Sequence, residues 1–272
     1  MTAATYSHGH HASVVGAHAT RTVVNSAAYL SPLIEPGMRI LDVGCGPGSI
    51  TIDLARRVGS TGRVLGIDAS AEVIETARAA AEQAGVTNVE FRVGDAYDPG
   101  LPGGEAGASG GRWDVVHAHQ VLQHLDDPVA ALRAWRAVGE LVAARDVVYS
   151  ATTIHPASPA LLQWRDLVVR LQAANGGDGD AGAKLKAWAR EAGFVSIETD
   201  VETWCFETER GRAFWGGQWV ERALHSAFAD GTERHGLADA STRQAISDAW
   251  AAWSHDEDGW MAMLHGWILA RR

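Results

Sequence analysis

The sequence predicts an α/β protein built on a mostly parallel sheet with helices on both faces. Short apolar runs alternate with helix-like segments from Gly37 to Tyr149, which is the pattern of strands joined by crossover helices. A glycine-rich turn follows the first run, and ligands of such sheets bind beyond the carboxyl ends of the strands. The length of 272 residues suits one large domain.

The first half of the chain contains five predicted strands, each rich in branched apolar residues. They are Met38–Val43, Arg63–Asp68, Asn88–Val93, Trp113–His119 and Glu140–Tyr149. The helices predicted between them are Ser49–Val58, Ala71–Ala84 and Pro128–Val138. The glycine-rich segment Asp98–Arg112 is predicted to be a surface loop.

We divide the chain into an N-terminal helical lid (1–36), a ligand-binding core (37–150) and a remainder carrying a substrate cap (151–272). The lid contains a predicted amphipathic helix, Ala17–Leu33. The remainder is predicted to contain, in order, helices Leu161–Ala174 and Ala183–Ala192, strand Phe194–Phe206, helices Thr208–Asp230 and Ala240–Ser254, and strand Gly259–Arg272. The helices inserted between the last two strands are expected to cover the ligand edge of the sheet.

Composition excludes several classes of protein. The net charge of −10 disfavours a nucleic-acid partner. No apolar run is long enough to span a membrane, and the His-rich segment Met1–Thr20 lacks the apolar centre of a signal peptide. Cys45 and Cys205 form neither a disulfide framework nor a CxxC zinc motif, so we expect a cytoplasmic protein without a metal site.

The turn that follows the first predicted strand carries the strongest functional signal. It reads Asp42-Val43-Gly44-Cys45-Gly46-Pro47-Gly48, and its glycines allow both unusual backbone angles and close approach of a ligand. Asp68 ends the second strand, where a carboxylate can accept hydrogen bonds from ribose hydroxyls. Asp95 follows the third strand and can meet an adenine amine. The pattern predicts a cofactor with an amine, a ribose and an adenine but no phosphate.

These runs resemble the class I S-adenosylmethionine-dependent methyltransferases. The corresponding motifs are LDVGCGPGS, GIDAS, GDAYD and WDVVHAHQVLQHL, within the range Ser26–Ser150. The ubiquinone/menaquinone-type branch of small-molecule enzymes is the most similar. The first helix and the tail with Trp204 are also similar to thiol methyltransferases of fungal dithiol metabolites, an indication of secondary metabolism. The resemblance implies a seven-stranded Rossmann-like sheet, S-adenosylmethionine as cofactor and S-adenosylhomocysteine as product.

The resemblance also implies which residues bind the cofactor: Asp42, Gly44, Gly46, Gly48, Asp68, Ala69, Asp95, Ala96, His119 and Gln120. Asp42 is expected near the amino group, directly or through water, and Asp68 at the ribose. One departure is visible, because Ala137-Val138-Gly139-Glu140 replaces the family's Pro-Gly-Gly turn before the fifth strand. This departure concerns the local geometry of the turn and leaves the cofactor residues in place.

The residues around the fourth and fifth strands are candidates for catalysis. His119 and His124 are candidate general bases, because a neutral imidazole can remove a proton from a thiol, hydroxyl or activated carbon. His117 lies on the same strand face as His119, and Asp146 ends the fifth strand. The candidate substrate pocket consists of His18, Arg21, Tyr149, His155, Trp164, Trp215 and Trp219, whose tryptophans are expected to cup a planar substrate.

The sequence therefore predicts methyl transfer to a small-molecule thiol, hydroxyl, nitrogen or activated carbon in a capped apolar pocket, by a monomer or a homodimer. Two alternatives stay open. One is a nicotinamide-dependent oxidoreductase, which Ser49 and Asp42 disfavour because they depart from the dinucleotide fingerprint. The other is a repurposed S-adenosylmethionine-binding protein, such as a cyclase, that does not transfer the methyl group.

Overall fold

A computed structural model describes residues 21–100 and 111–272 of the chain. Their strands form one sheet in the order β3-β2-β1-β4-β5-β8-β6, and β7 also pairs with β8. The strands are β1 Arg39–Val43, β2 Arg63–Asp68, β3 Val89–Val93, β4 Trp113–His119, β5 Gly139–Val147, β6 Thr153–His155, β7 Ser196–Phe206 and β8 Trp260–Arg271. Strands β1 to β5 are parallel, and β8 runs antiparallel to its three neighbours.

The fold class is confirmed, but the prediction of seven strands is wrong for the described chain, whose sheet has eight. The additional strand is β6. It exists because β8 is twelve residues long and extends past the end of β5. After a 3-10 turn at Tyr149–Ala151, the chain pairs with that overhang, with Thr153 opposite Ala262. The fifth strand therefore ends at Val147, two residues earlier than predicted.

Nine α-helices accompany the strands in the described residues: α1 Val23–Ser26, α2 Ser49–Val58, α3 Ala71–Gln83, α4 Pro128–Val138, α5 Pro159–Ala174, α6 Leu185–Glu191, α7 Glu209–His225, α8 Ala227–Arg234 and α9 Ala240–His255. The single helix predicted over Thr208–Asp230 is wrong, because Ser226 divides it. Ser226 has an extended backbone (φ −131°, ψ 178°) and its side chain caps α8 by accepting from the Phe228 amide.

The N-terminal helix predicted over Ala17–Leu33 is also wrong where it can be compared. From Arg21 onward the chain forms only the four-residue α1 and a 3-10 turn at Ser31–Leu33. Thr22 begins α1 with a capping box, and Ala27 ends it with non-helical backbone angles. Residues 1–20, which include His18, and residues 101–110 of the predicted loop lie outside the described residues.

Two layers of helices cover the sheet. Residues 23–34 and α2 bury one face, with Val23, Leu30 and Leu54 packed on Val115 of β4 and Leu269 of β8. Helices α4 and α6 cover the opposite face, where Leu132, Trp135 and Leu185 meet Val116 and Ile268. The two layers leave the carboxyl ends of β1 to β5 at one common edge.

The cap is built on the long hairpin of β7 and β8. These strands pair from Ser196–Arg271 to Phe206–Met261, so they extend beyond the carboxyl end of β5, and α7, α8 and α9 connect their outer ends. The cap has its own core of buried tryptophans, which also includes residues of α5. The helical insertion expected from the sequence is thus present beside the ligand edge. None of the described helices has both the length and the apolar content required to cross a membrane.

Candidate active site

The turn after β1 is shaped by glycines with left-handed backbone angles. Gly44, Gly46 and Gly48 have φ values of 66°, 54° and 83°, a region that favours glycine. A Cβ on Gly48 would lie 2.8 Å from the Phe91 ring, and a Cβ on Gly44 would overlap the Val121 side chain. The turn therefore presents backbone without side-chain bulk, which is the cradle that the predicted cofactor requires.

Two acids flank this turn. Asp68 Oδ2 accepts a hydrogen bond from the Gly46 amide at 3.1 Å, and its Oδ1 accepts one from the Ser70 amide at 3.0 Å. The Asp68 carboxylate is thus held against the glycine turn with lone pairs left for ribose hydroxyls. Asp95 is exposed and accepts from the Tyr97 amide at 2.9 Å. The glycine cradle and these acids fit the S-adenosylmethionine expected from the sequence.

Asp42 is placed differently from the other acids. It is buried, and both of its carboxylate oxygens have protein partners. Oδ2 accepts from the Thr51 hydroxyl at 2.6 Å, and Oδ1 lies 2.7 Å from His117 Nδ1. A carboxylate partner requires that this His117 nitrogen carry the proton. The Asp42 side chain therefore ties β1 to α2 and β4.

The turn after β3 is anchored by residues that the sequence analysis did not identify. The Trp135 indole donates to the Ala96 carbonyl at 2.7 Å. The Tyr97 hydroxyl donates to the Asp126 carboxylate and accepts from the Asp127 amide at 3.1 Å. These contacts join the predicted adenine-binding turn to the beginning and the interior of α4. Ala69, by comparison, is exposed at the end of β2.

His119 is a predicted catalytic residue whose imidazole ring makes no hydrogen bond to the described residues. It is 6% exposed, and neither ring nitrogen has a hydrogen-bond partner among the described residues. Its ring lies 5.7 Å from Trp204 and 6.3 Å from His265. Burial, and then the positive charge of Arg21, lowers the pKa of His119 well below its ordinary value. The imidazole is therefore neutral near pH 7.

Gln120 follows His119 in a strained conformation. Its φ of 57° is the one left-handed value among the described non-glycine residues, and such strain is typical of functional sites. Arg21 Nη2 donates to Gln120 Oε1 at 2.6 Å. Gln120 Nε2 lies 2.9 Å from His265 Nε2, and His265 Nδ1 lies 3.0 Å from the Met263 carbonyl. The carbonyl fixes the proton on Nδ1, so Gln120 donates to Nε2 of a neutral His265.

Arg145 of β5 lies next to His119 in the sheet register. Its side chain is fully buried, and its guanidinium nitrogens have no hydrogen-bond partner in the described parts of the chain. Glu202 Oε2 lies 3.1 Å from its Nε as an ion pair. The guanidinium also lies 5.0 Å from the Trp204 ring centroid. Burial lowers the pKa of Arg145 to about 10, which leaves the group positively charged near neutral pH.

His124 lies in the 3-10 turn Leu122–His124, and Asp146 lies near the end of β5. Asp146 is buried and accepts from the Leu122 amide at 3.2 Å through Oδ2. Burial raises the pKa of Asp146 to about 8. Burial, followed by the charge of Arg21, lowers the pKa of His124 to about 3. Because side chains alternate along β5, Asp146 faces away from the side that carries Arg145 and His119.

The predicted substrate-pocket residues that the structure describes lie in three different places. Arg21 lies in the cluster of His119, Gln120 and Trp204. The tryptophans pack within the core of the cap instead, where Trp164 lies 4.9 Å from Trp219 in an edge-to-face contact. The remaining members are Tyr149 and Trp215, which are buried in that same core, and His155, which is exposed in β6.

Arg145, His265 and Glu202 were not predicted from the sequence. A signal for Arg145 was present, because the run Leu141–Val148 is apolar except for Arg145 and Asp146. His265 similarly interrupts an apolar strand. Within residues 21–100 and 111–272, no group of three or more His, Cys, Asp and Glu side chains is arranged to hold a metal ion.

Comparison with known proteins gives a consistent result. A family model described as a methyltransferase domain matches residues 34–168. An uncharacterised methyltransferase of Schizosaccharomyces pombe is 30% identical, and the match covers 98% of this chain and 96% of that protein. A ubiquinone biosynthesis O-methyltransferase of Xanthomonas axonopodis is 33% identical over 68% of this chain and 74% of its own length. The YcgJ protein of Bacillus subtilis shares the fold, with 14% identity, a TM-score of 0.53, and coverage of 90% of this chain and 97% of that one.

Proposed function

Because the chain belongs to the S-adenosylmethionine-dependent methyltransferases, we propose that it methylates a small molecule held beside His119. The protein is an enzyme, and S-adenosylmethionine is its cofactor. The observation that carries the proposal is the position of His119, a buried imidazole without a hydrogen-bond partner in the described chain. It stands at the carboxyl end of β4, two strands from the Asp68 that ends β2. A role in secondary metabolism and a cytoplasmic location are part of the same proposal.

On the cofactor side, the glycine turn and the two exposed or half-buried acids are the binding groups. Asp68 would accept from ribose hydroxyls, and Asp95 with Ala96 would meet the adenine. The bound cofactor supplies an electrophilic methyl group and leaves as S-adenosylhomocysteine. We assign Asp42 a positioning role, because Thr51 and His117 already occupy its two oxygens. Its contacts hold the glycine turn, α2 and β4 together.

On the acceptor side, His119 and Trp204 would contact the substrate. A neutral His119 can accept a hydrogen bond or a proton from a thiol or hydroxyl. Its lowered pKa makes it a weak base, so it favours acceptors that ionise easily. Burial also lowers the pKa of His124, to about 3, so His124 is a weak base as well. We assign Asp146 to positioning, because it holds the turn that follows His119 through the Leu122 amide.

The cap would exclude water from the reacting groups. Its tryptophans form edge-to-face contacts with one another, which favours a rigid cover over direct stacking on the substrate. Among acceptors, the O-methyltransferase relative makes a hydroxyl the first class to test. Thiols, nitrogens and activated carbons remain further classes in the same assay.

The experiment is a titration of the purified protein with S-adenosylmethionine, S-adenosylhomocysteine and NAD, followed by incubation with phenols, thiols and quinols. We expect both sulfur nucleosides to bind, NAD not to bind, and S-adenosylhomocysteine to accumulate in step with methylated product. Binding without S-adenosylhomocysteine formation would favour the repurposed protein or cyclase. Binding of NAD alone would overturn the proposal.

A pair of variants tests the assignment of His119. His119→Gln should lower turnover by about tenfold or more, because the ring that contacts and orients the acceptor is lost, while the affinity for S-adenosylmethionine stays unchanged. His124→Gln is the matched control and should have a smaller effect. Equal turnover in both variants and the parent protein would remove the acceptor-side role of His119.

A further inference from the structure

We propose that Arg145 and Arg21 form an anion-binding site, so that the enzyme holds a small aromatic acceptor in its ionised form. The inference rests on the proposed function and deepens it, because it names the chemical class of the acceptor. Phenolates, thiolates and aromatic carboxylates share the required chemistry. Arg145 is a buried cation whose hydrogen-bonding groups are not satisfied by the described residues.

A buried guanidinium carries five N–H donors, and leaving such donors without partners is costly. Arg145 has no exposed surface, and its Nη1 and Nη2 groups have no hydrogen-bond acceptor among the described residues. The Glu202 carboxylate is near Nε, so it leaves the Nη1 and Nη2 end of the fork open to another acceptor. Paired N–H groups of this kind match the oxygens of an organic anion.

A second arginine adds positive charge at the same place. The guanidinium carbons of Arg21 and Arg145 lie 5.4 Å and 5.0 Å from the centroid of the Trp204 ring. Glu202 is the acid paired with this cluster, and Asp146 faces the other side of β5. His265 is held neutral by its hydrogen bonds and by burial, which lowers its pKa. Among the described residues of this cluster, Arg21 and Arg145 both bring positive charge to the Trp204 ring, and Glu202 is the acid paired with Arg145.

His119 connects this charge to the reacting position. Its ring lies 5.7 Å from Trp204, and Arg21 and Arg145 both contribute to the lowering of its pKa. The same positive field that disfavours a charged imidazole stabilises an anion placed beside it. An acceptor that arrives ionised already carries the electron pair for the new bond, so no proton has to be removed. The aromatic surroundings of Trp204, His119 and His265 favour a planar molecule.

The test measures binding without cofactor, so it does not depend on turnover. The probe is 4-nitrophenolate, whose ionised form absorbs visible light, and 4-nitroanisole is its neutral analogue. Both are titrated at a pH where the phenol is ionised. We expect the parent protein to prefer the phenolate by about tenfold or more, the effect of hydrogen bonds to a charged group.

Four variants separate the proposal from a general effect of charge. Arg145→Gln and Arg21→Gln should each remove most of the preference for the phenolate. Glu202→Gln should increase it, because the competing acid is neutralised. Arg63→Gln is the matched control, since Arg63 is exposed and paired with Glu90 in β3, and it should leave both affinities unchanged.

Equal affinity of the parent protein for the two probes overturns the proposal, as does a preference that survives in both arginine variants. Thermal unfolding checks that each variant is folded. If Arg145→Gln does not fold, the other two variants decide the outcome. The preference for the phenolate should fall in Arg21→Gln and rise in Glu202→Gln. A protein that forms S-adenosylhomocysteine but shows no preference for the phenolate refutes this inference alone. A protein that prefers the phenolate but does not bind S-adenosylmethionine refutes the proposed function instead.

Discussion

The ligand edge of the sheet has an acidic half and a basic half. Around β1, β2 and β3 the polar groups are carboxylates, with Asp68 and Asp95 beside the glycine turn. Around β4, β5 and β8 the charged groups are Arg21 and Arg145 with one paired acid, Glu202, accompanied by imidazoles that burial keeps neutral. The difference indicates that the two halves suit ligands of opposite charge, which would keep a cationic cofactor and the proposed anionic acceptor in separate places.

The two halves also differ in how the chain builds them. In the acidic half, the bond from Gly46 to Asp68 joins residues 22 apart. In the basic half, Arg21 and Gln120 are 99 residues apart, and Gln120 and His265 are 145 apart. The acidic half is thus a local structure with tight backbone constraints, and the basic half depends on distant segments being brought together.

The largest effect is expected at the tightest point of the acidic half. Gly48→Ala should lower the free energy of unfolding by about 3 kcal/mol, from left-handed backbone strain and from overpacking against Phe91 and Ala77. Gly85→Ala, just after the end of α3, is the control, because φ is also positive (63°) but no atom lies within 4 Å of the added Cβ. It should cost about 1 kcal/mol. Urea unfolding measures the free energy of unfolding of both variants. An equal loss of stability in the two would show that the turn is not tightly constrained.

The next effect concerns the charge of the acidic half. Asp68→Ala should weaken S-adenosylmethionine binding by about 2 kcal/mol, because charge-assisted hydrogen bonds to the ribose are lost. Binding of 4-nitrophenolate should not change, since the basic half is untouched. Glu82→Ala removes an exposed acid from α3 and serves as the control for net charge. If Asp68→Ala alters both ligands equally in calorimetric titrations, the two halves are not independent.

A third prediction concerns Asp146, which supports the turn between the halves. Its folded pKa of about 8 lies above the unfolded value of about 4. The folded state therefore holds the proton more tightly, and stability is lost as pH rises from about 4 to about 8, by at most about 1.4 kcal/mol per pH unit. Asp146→Asn should flatten this decline in urea unfolding. Asp239→Asn, whose parent carboxyl has a pKa of about 2 at the start of α9, should leave the decline in place.

Much of the acidic half was predictable from the sequence because its determinants are contiguous. The glycine spacing and the acids at the ends of β2 and β3 can be identified without knowing the tertiary structure. The strands β1 to β4 were predicted within one residue at each end, since their branched apolar runs are bounded by turn signals. The extra strand β6 was not predictable, because it forms only where β8 extends past β5.

The basic half was largely unpredictable for a physical reason. Trp204 and His265 meet because β7 pairs with β8, and Arg145 lies near Glu202 only because both strands flank β8. No local pattern specifies those neighbours. The tryptophans predicted as substrate contacts depend on tertiary structure in the same way, since Trp164 and Trp219 pack in the cap core.

The smallest effects should have opposite signs in the two halves. Tyr97→Phe removes the hydroxyl that joins the predicted adenine-binding turn to Asp126 and Asp127, and it should lower the free energy of unfolding by about 0.5 kcal/mol at this partly exposed site.

Tyr29→Phe is the matched change in the basic half. The Tyr29 ring stacks on Trp267 at 5.0 Å, and its buried hydroxyl has no hydrogen-bond partner in the described residues. Removing an unsatisfied donor should leave stability unchanged or raise it by up to about 1 kcal/mol. A clear loss in Tyr29→Phe would mean that this hydroxyl is bonded in solution. The basic half would then be a satisfied structural network, and the open donors of Arg145 would no longer distinguish it from the acidic half.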